Sequence, residues 1–118
     1  MDNAVKATLE GVGIDVQEAL DRFMGNEALM MRFLTRFPQD LNFSALRKAV
    51  DAGDAAQAFT AAHTLKGVVG NLSIHSLFHP VSAMVEDLRR GDLSSASQQM
   101  GALEAQYLQV VSALEQLQ

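Results

Sequence analysis

A histidine near the middle of the chain is followed by a lysine and two glycines at spacings that suit phosphoryl chemistry. Lys66, Gly67 and Gly70 follow His63 by three, four and seven positions. On a helix these positions return to the face of the histidine, so an imidazole and an ammonium would share a surface with two positions that carry no side chain. Phosphoryl transfer needs positioning and charge stabilisation more than covalent help from the protein. These residues therefore supply the chemical groups that a phosphocarrier needs.

The residues around His63 divide into two faces on a helical wheel of about 100° per residue. Opposite the histidine lies the predicted core face, which is Ala58, Ala61, Leu65, Val68, Val69 and Leu72, with Ala62 at its edge. Beside His63 lie Ala56, Phe59, Thr60, Lys66, Gly67 and Gly70. Each glycine inside a helix costs about 1 kcal/mol relative to alanine, so we interpret the two glycines as opening the approach to the imidazole. Phe59 could contact a partner or pack between helices.

The rest of the chain shows helical periodicity and no sustained strand pattern. Residues 1–12 are expected to be an N-terminal extension or linker. The first predicted helix begins at Asp15, with a capping box to Glu18, and the second begins at Asn26, with a buried stripe of Leu29, Phe33 and Phe37. A new helix or a kinked continuation is predicted from Pro38 to about Val50. Three more helices are predicted, one from Asp54 to near Leu72, one within residues 73–90 and one from Leu93 to Leu117. Four long helices with short turns favour an all-α, antiparallel up-down four-helix bundle.

Composition excludes several classes of function. The 118 residues carry a formal net charge of −5, which argues against nucleic-acid binding because phosphate contacts need a basic surface. There is no cysteine, so disulfides and thiolate sites are excluded, and a cytoplasmic location is expected. No signal peptide and no membrane-spanning run are recognised. The chain also lacks a glycine-rich nucleotide loop, so no ATP-dependent autokinase activity is expected.

Two further histidines leave a metal site open as an alternative. His75 and His79 are four positions apart, a spacing that can bind a metal from one helical face. No third ligand is evident in the neighbouring sequence, and the Glu-x-x-His pairs of di-iron bundles are missing. We therefore interpret both as surface histidines and predict no metal site.

The segment Ala62-His63-Thr64-Leu65-Lys66-Gly67, followed by Val68-Val69-Gly70-Asn71-Leu72, resembles the signature of histidine-containing phosphotransfer (HPt) domains. The short stretches Gly13-Ile14-Asp15, Gly25-Asn26-Glu27, Ala52-Gly53-Asp54 and Arg90-Gly91-Asp92 are similar to the frame of that family. The resemblance covers residues 13–117, and the HPt domain is placed at 13–118.

Membership of this family would imply a four-helix bundle with a short accessory N-terminal helix and an exposed phosphoaccepting histidine. By matching position, His63 would be the acceptor, Lys66 the charge partner and Gly67 the residue that gives access. Ala56, Phe59, Thr60 and Gly70 would then belong to the docking face. The expected partners are response-regulator receiver domains and a hybrid sensor histidine kinase. No cofactor is expected on this chain, because the receiver holds the required Mg²⁺.

Three departures from the family pattern concern the surroundings of the histidine. Ser73 stands where a glycine is usual, and Met84-Val85 occupies the place of a Leu-Glu pair, with Glu86 one position late. Pro80 falls inside the next helix and should kink it or delay its start to about His79. The shifted Glu86 and Pro80 are the best support for a rival interpretation, in which the bundle binds a receiver or kinase without being phosphorylated.

Overall fold

The computed structural model describes all 118 residues, as seven α-helices and one 3₁₀ turn. The elements are α1 (Asn3–Gly11), α2 (Val16–Arg22), α3 (Glu27–Arg36), the 3₁₀ turn (Phe37–Gln39), α4 (Asn42–Asp51), α5 (Ala55–Asn71), α6 (His75–Arg89) and α7 (Leu93–Gln116). The predicted caps are confirmed, since the side chains of Asp15, Asn26 and Asp54 each accept a hydrogen bond from the backbone N–H three residues later.

Helices α4 to α7 form the four-helix bundle that the sequence predicts. Each packs against the next along the chain, and α7 packs back against α4. The three turns that join them are short, so neighbouring helices run antiparallel. Two of the turns use Gly53 and Gly91 with φ of 72° and 76°, and the turn between α5 and α6 uses Ser73 with φ of 55°.

The buried face of α5 is built largely from alanine, which lets α4 and α6 approach it closely. Ala58 and Ala62 are fully buried, and Leu65 and Val69 extend the same stripe toward the turn. The predicted core face of this helix is therefore confirmed, with Val68 only half-buried. Helix α7 presents a long buried stripe to the core, formed by Ala96, Met100, Leu103, Val110 and Leu114.

Residues 1–12 contribute to the folded unit, contrary to the expectation of an extension or linker. They contain α1, whose Leu9 is fully buried in the common core, and α1 packs against α2 and α7. The apolar pattern of α1 is weak in the sequence because, within this helix, only Val5 and Leu9 pack against the core. The domain boundary placed at residue 13 stays a prediction.

The buried stripe of α3 differs by one position from the prediction. Met30 and Leu34 are fully buried and Phe37 is nearly so, whereas Phe33 is 44% exposed. Spacings of four and three residues follow the helical repeat better than two spacings of four. At Pro38 the chain makes the 3₁₀ turn and α4 begins only at Asn42, so the predicted start of the third helix at Pro38 was four residues early.

Helix α6 runs through Pro80, so the expectation of a delayed start near His79 was wrong. The helix begins at His75, directly after the turn at Ser73, where the Phe78 N–H donates to the Ile74 carbonyl at 2.9 Å. Leu77 and Val81 anchor this stretch in the core, which outweighs the loss of one backbone donor. None of the helices combines the length and the apolar composition needed to cross a membrane.

Candidate functional site

His63 lies on the solvent side of α5, as the helical wheel predicts. The residue is exposed, while Ala62 and Leu65 on either side of it are buried. The fold therefore places the imidazole outward because the apolar residues around it in sequence must face α4 and α6. The edge of the ring can be reached from outside the bundle.

An aromatic ring and a guanidinium lie beside the imidazole. The ring of Phe59, one turn earlier on α5, stacks with that of His63 at a centroid distance of 5.8 Å and an interplanar angle of 20°. The guanidinium of Arg89, on α6, lies over the Phe59 ring at 5.2 Å from its centroid. Arg89 also pairs with Glu86 at 3.4 Å. Phe59 is half-buried, so it packs against its neighbours and still presents an edge to solvent.

Neither His63 nor Lys66 is engaged by another polar group of the chain. The side-chain hydrogen bonds along this helix belong to Asp54, Thr60 and Thr64. All ion pairs of the protein involve other residues. The imidazole nitrogens and the ammonium are therefore free to meet an external group.

A groove of about 360 Å³ connects the histidine with the turn between α5 and α6. One side of it is formed by α5, and the opposite side by α2 and the start of α6. The residues that line it include His63, Lys66, Gly67 and Gly70 on α5 and Glu18, Arg22 and His75 across from them. An anion attached to the imidazole would thus lie at the mouth of a polar groove.

The two glycines of the groove differ in what a side chain would meet. A Cβ on Gly67 would have no atom within 4 Å, so the fold does not require glycine there. A Cβ on Gly70 would lie 3.2 Å from Cε2 of Phe78. Gly70 therefore makes room for Phe78, which corrects the interpretation that both glycines serve access.

The far end of the groove is held by a hydrogen-bonded cluster around Ser73. The Ser73 hydroxyl donates to Oε1 of Glu18 at 2.9 Å and accepts from Nε of Arg22 at 3.1 Å. Nε2 of His75 contacts the same Glu18 oxygen at 3.1 Å. These contacts lower the pKa of the Glu18 carboxyl, first through the Ser73 hydrogen bond and then through the nearby His75 and Arg22. The cluster joins α2 to the turn before α6.

Comparison with known families decides the class of this protein. The model of the Hpt domain matches residues 28–117. The chain belongs to the Hpt domain family. No curated protein and no solved structure gives a significant match to the chain. As an Hpt domain it is a phosphotransfer module of two-component signalling. The members of this family are phosphocarriers and not kinases, and they interact with receiver domains.

The structure accounts for the first departure of this Hpt domain from the family pattern. Ser73, where glycine is usual, adopts the left-handed conformation that glycine favours, and it is almost fully buried. Such a conformation costs about 1–2 kcal/mol in a residue with a side chain. In this position the hydroxyl forms hydrogen bonds with Glu18 and Arg22, which we expect to offset that cost.

The second departure leaves the imidazole of this Hpt domain without a carboxylate neighbour. Met84 and Val85 are fully buried in the core. Glu86 is exposed and pairs with Arg89. No carboxylate contacts His63, and its ring is stacked with that of Phe59.

The four residues of the predicted docking face lie on the outer side of α5, and their role in docking stays a prediction. Ala56 and Thr60 are exposed, and the Thr60 hydroxyl donates to the Ala56 carbonyl at 3.2 Å. Phe59 is half-buried beside them, and Gly70 lies farther along under Phe78. Sequence reasoning missed Glu18, Arg22 and Arg89 as neighbours of the site, because their positions depend on how α2 and α6 pack against α5.

A possible set of metal ligands also emerges only in three dimensions. One ligand atom each of Asp15, Glu18 and His75 lie within 4.8 Å of one another. The sequence offered no third ligand, because Asp15 and Glu18 lie about sixty residues before His75. Asp15 caps α2, and Glu18 accepts from Ser73 and contacts His75, so these side chains have structural roles without a metal. His79 stacks on His75 with ring centroids 5.6 Å apart.

Proposed function

We propose that this Hpt domain carries a phosphoryl group on Nε2 of His63 and exchanges it with aspartates of receiver domains. The observation that carries the proposal is the outward, unpaired imidazole at the mouth of a polar groove. The lone pair of Nε2 attacks the phosphorus of a receiver's aspartyl phosphate. The N–P bond forms while the P–O bond to the carboxylate breaks, and the carboxylate leaves with the electron pair. The reverse step passes the group to a second receiver.

Lys66 is proposed to offset the charge of the transferred group. It lies one turn from His63 on the same face and has no acidic partner in the chain. Charge-assisted contacts to phosphoryl oxygens stabilise a transition state in which negative charge is spread over those oxygens. An ammonium already paired with a carboxylate would do this less well, because it would have to give up that partner.

Gly67 is proposed to admit the receiver's active site to the imidazole. Open space surrounds it, so a side chain would fit the fold but would stand between His63 and the partner. Ala56, Phe59, Thr60 and Gly70 are proposed as the surrounding docking face. The Mg²⁺ for the transfer is proposed to be held by the receiver's own acidic residues, and the phosphoryl group to originate in a hybrid sensor histidine kinase. No cofactor and no autokinase activity are assigned to this chain.

The experiment uses a phosphorylated receiver as donor. Incubation with the wild-type protein should move the label to this chain as an acid-labile, base-stable phosphoramidate, whereas His63→Gln should take up none. His75→Gln and His79→Gln serve as matched controls and should be labelled like the wild type. Label that survives His63→Gln would refute the site.

A second candidate function is a bundle that binds a receiver or kinase without chemistry. Val85 favours it, because the carboxylate that would orient the imidazole is replaced by a buried apolar side chain. Retained binding of a receiver together with no labelling of the wild type would support this alternative. Transfer to His63 would exclude it.

A further inference from the structure

The contacts of His63 raise the question of what holds its ring. A reactive imidazole is usually oriented by a hydrogen bond to one of its two nitrogens, which also fixes the tautomer. Here the residue at the matching place on α6 is Val85, which is fully buried and carries no polar atom. Glu86, the next residue, points to solvent and pairs with Arg89. The ring therefore has no hydrogen-bond acceptor from this helix.

What the ring does have is an aromatic neighbour in a stacked arrangement. The two rings are inclined by only 20° with their centroids 5.8 Å apart, within the range of offset stacking. Stacking limits rotation of the imidazole about its χ2 angle while leaving both nitrogens at the ring edge unobstructed. A hydrogen bond would instead occupy one nitrogen.

The stacked ring is itself fixed in place from α6. Arg89 places its guanidinium 5.2 Å from the Phe59 centroid, and its pairing with Glu86 at 3.4 Å restrains the guanidinium. Glu86 is thus linked to the histidine only through a chain of contacts, first with Arg89 and then with Phe59. The neighbouring Arg90 pairs with Asp87 and makes no contact with Phe59, so it provides a matched control.

We propose that Phe59 is a positioning residue for the phosphoryl transfer and that it orients the His63 imidazole by stacking, in place of the missing carboxylate. Arg89 supports it by covering the Phe59 ring. This inference rests on the proposed function, since it assigns a role within the same transfer. Under this proposal Phe59 acts by packing against the reactive ring, and the proposed contacts with the receiver are made by Ala56, Thr60 and Gly70 without it.

The test separates positioning from docking. Phe59→Leu keeps an apolar side chain of similar size but removes the stacking ring, and Phe59→Tyr restores it. With saturating phosphorylated receiver, Phe59→Leu should transfer about tenfold more slowly, since small errors in orientation reduce rates strongly. The affinity for the receiver should stay unchanged, and Phe59→Tyr should recover the rate. A weakened affinity with an unchanged maximal rate would overturn the proposal and make Phe59 a docking residue.

A receiver-independent donor removes the partner from the measurement. Phosphoramidate transfers its phosphoryl group to the histidine nitrogen as its own P–N bond breaks and ammonia leaves. Phe59→Leu and Arg89→Gln should slow this reaction, whereas Arg90→Gln should match the wild type. Equal rates for Phe59→Leu and the wild type would contradict the proposal.

A measurement on the unmodified protein covers the case in which Phe59→Leu does not fold. Carbon relaxation of the His63 ring should show an imidazole as ordered as the backbone of α5, and a ring that averages over several rotamers would overturn the proposal. This readout needs no phosphoryl transfer. If the wild type accepts no label from either donor, the proposed function fails, while the ring order still decides whether stacking holds the imidazole.

Discussion

The two ends of the groove on α5 are held in opposite ways. At the Ser73 end, four side chains from α2, the turn and α6 share hydrogen bonds around one carboxylate oxygen and one hydroxyl. At the His63 end, the imidazole and the ammonium of Lys66 have no polar partner within the chain, and the imidazole is contacted by the ring of Phe59. The polar groups of one end are paired within the chain, and those of the other end are unpaired.

This difference indicates that the two ends of the groove have different roles. The Ser73 end, which we call the anchored end, fixes how α1 and α2 pack against α5 and α6. It also includes the backbone hydrogen bonds of Asp15 with Ser73 and of Ser76 with Gly13. We call the His63 end the free end. The free end then needs no internal polar network, since its position follows from the core behind it. Substitutions at the anchored end should change stability, and those at the free end should change transfer.

The largest effect on stability is expected from Gly13→Ala. Gly13 has φ of 86°, and a Cβ on it would lie 2.4 Å from Cβ of Ser76, so the loop and the start of α6 would have to separate. We expect a loss of about 2–4 kcal/mol from the overlap and the left-handed backbone together, measured by urea unfolding. Gly11→Ala is the matched control, since its Cβ would meet no atom within 4 Å. Equal stability of the two variants would contradict the claim that the close packing of Gly13 against Ser76 stabilises the fold.

Lys66→Gln, at the free end of the groove, should change the transfer rate and leave the stability unchanged. Loss of the free ammonium should lower the transfer rate about tenfold to a hundredfold, while the urea midpoint stays within error of the wild type. Lys66→Arg should retain part of the rate because it keeps the charge. Lys48→Gln, at an exposed position on α4, is the control for a general change in net charge. An unchanged rate in Lys66→Gln would show that the free cation is not used.

Ser73 separates backbone strain from hydrogen bonding. Ser73→Ala keeps the positive φ and loses both hydrogen bonds, whereas Ser73→Gly loses the hydrogen bonds but removes strain worth about 1–2 kcal/mol. We expect Ser73→Ala to be the less stable of the two in thermal unfolding. The reverse order would mean that the positive φ is not strained, and a Ser73→Gly variant more stable than the wild type would mean that the hydrogen bonds do not compensate for the strain.

The same cluster predicts a pH dependence. The pKa of Glu18 is lowered in the folded protein, chiefly by the Ser73 hydrogen bond, so its ionised form favours folding. This contribution is present above the ordinary pKa of a glutamate carboxyl and is lost as the pH falls through the lowered value. The stability difference between the wild type and Ser73→Ala should therefore shrink in acid. A difference that is constant with pH would contradict the proposed coupling.

The smallest effects concern the two glycines on the outer face of α5. Gly67→Ala should stabilise the helix by about 1 kcal/mol and slow transfer several-fold, because the new methyl group stands in open space beside His63. Gly70→Ala should gain less stability, since Phe78 must shift to admit the methyl group. Thermal unfolding and transfer rates of the pair check this, and faster transfer by Gly67→Ala would exclude an access role.

Local sequence patterns predicted the free end of the groove well. The apolar stripe of α5 determines which way His63 points, and the caps at Asp15, Asn26 and Asp54 determine where three helices begin. These features depend on residues within one or two helical turns of each other. The bundle followed from the same patterns together with the short turns.

The anchored end could not be predicted, because it depends on contacts between distant segments. Glu18 and Ser73 are 55 residues apart in sequence, and the Ser76 hydroxyl reaches the Val12 carbonyl across 64. The same reason explains why Gly70 was interpreted as an access residue, since its neighbour Phe78 lies on another helix. Of the two alternatives for Pro80, a kink or a delayed start of α6, the delayed start was wrong because it neglected the core contacts of Leu77.

The most direct test of the account is to locate the phosphoryl group after transfer. Tandem mass spectrometry at neutral pH, on protein labelled by a phosphorylated receiver, should find one phosphohistidine at position 63, with His75 and His79 unmodified. Nitrogen-detected NMR should place the group on Nε2 of that ring. A label on either of the other two histidines, or a receiver complex that forms without any label, would contradict the claim that the free end of the groove is the reactive one.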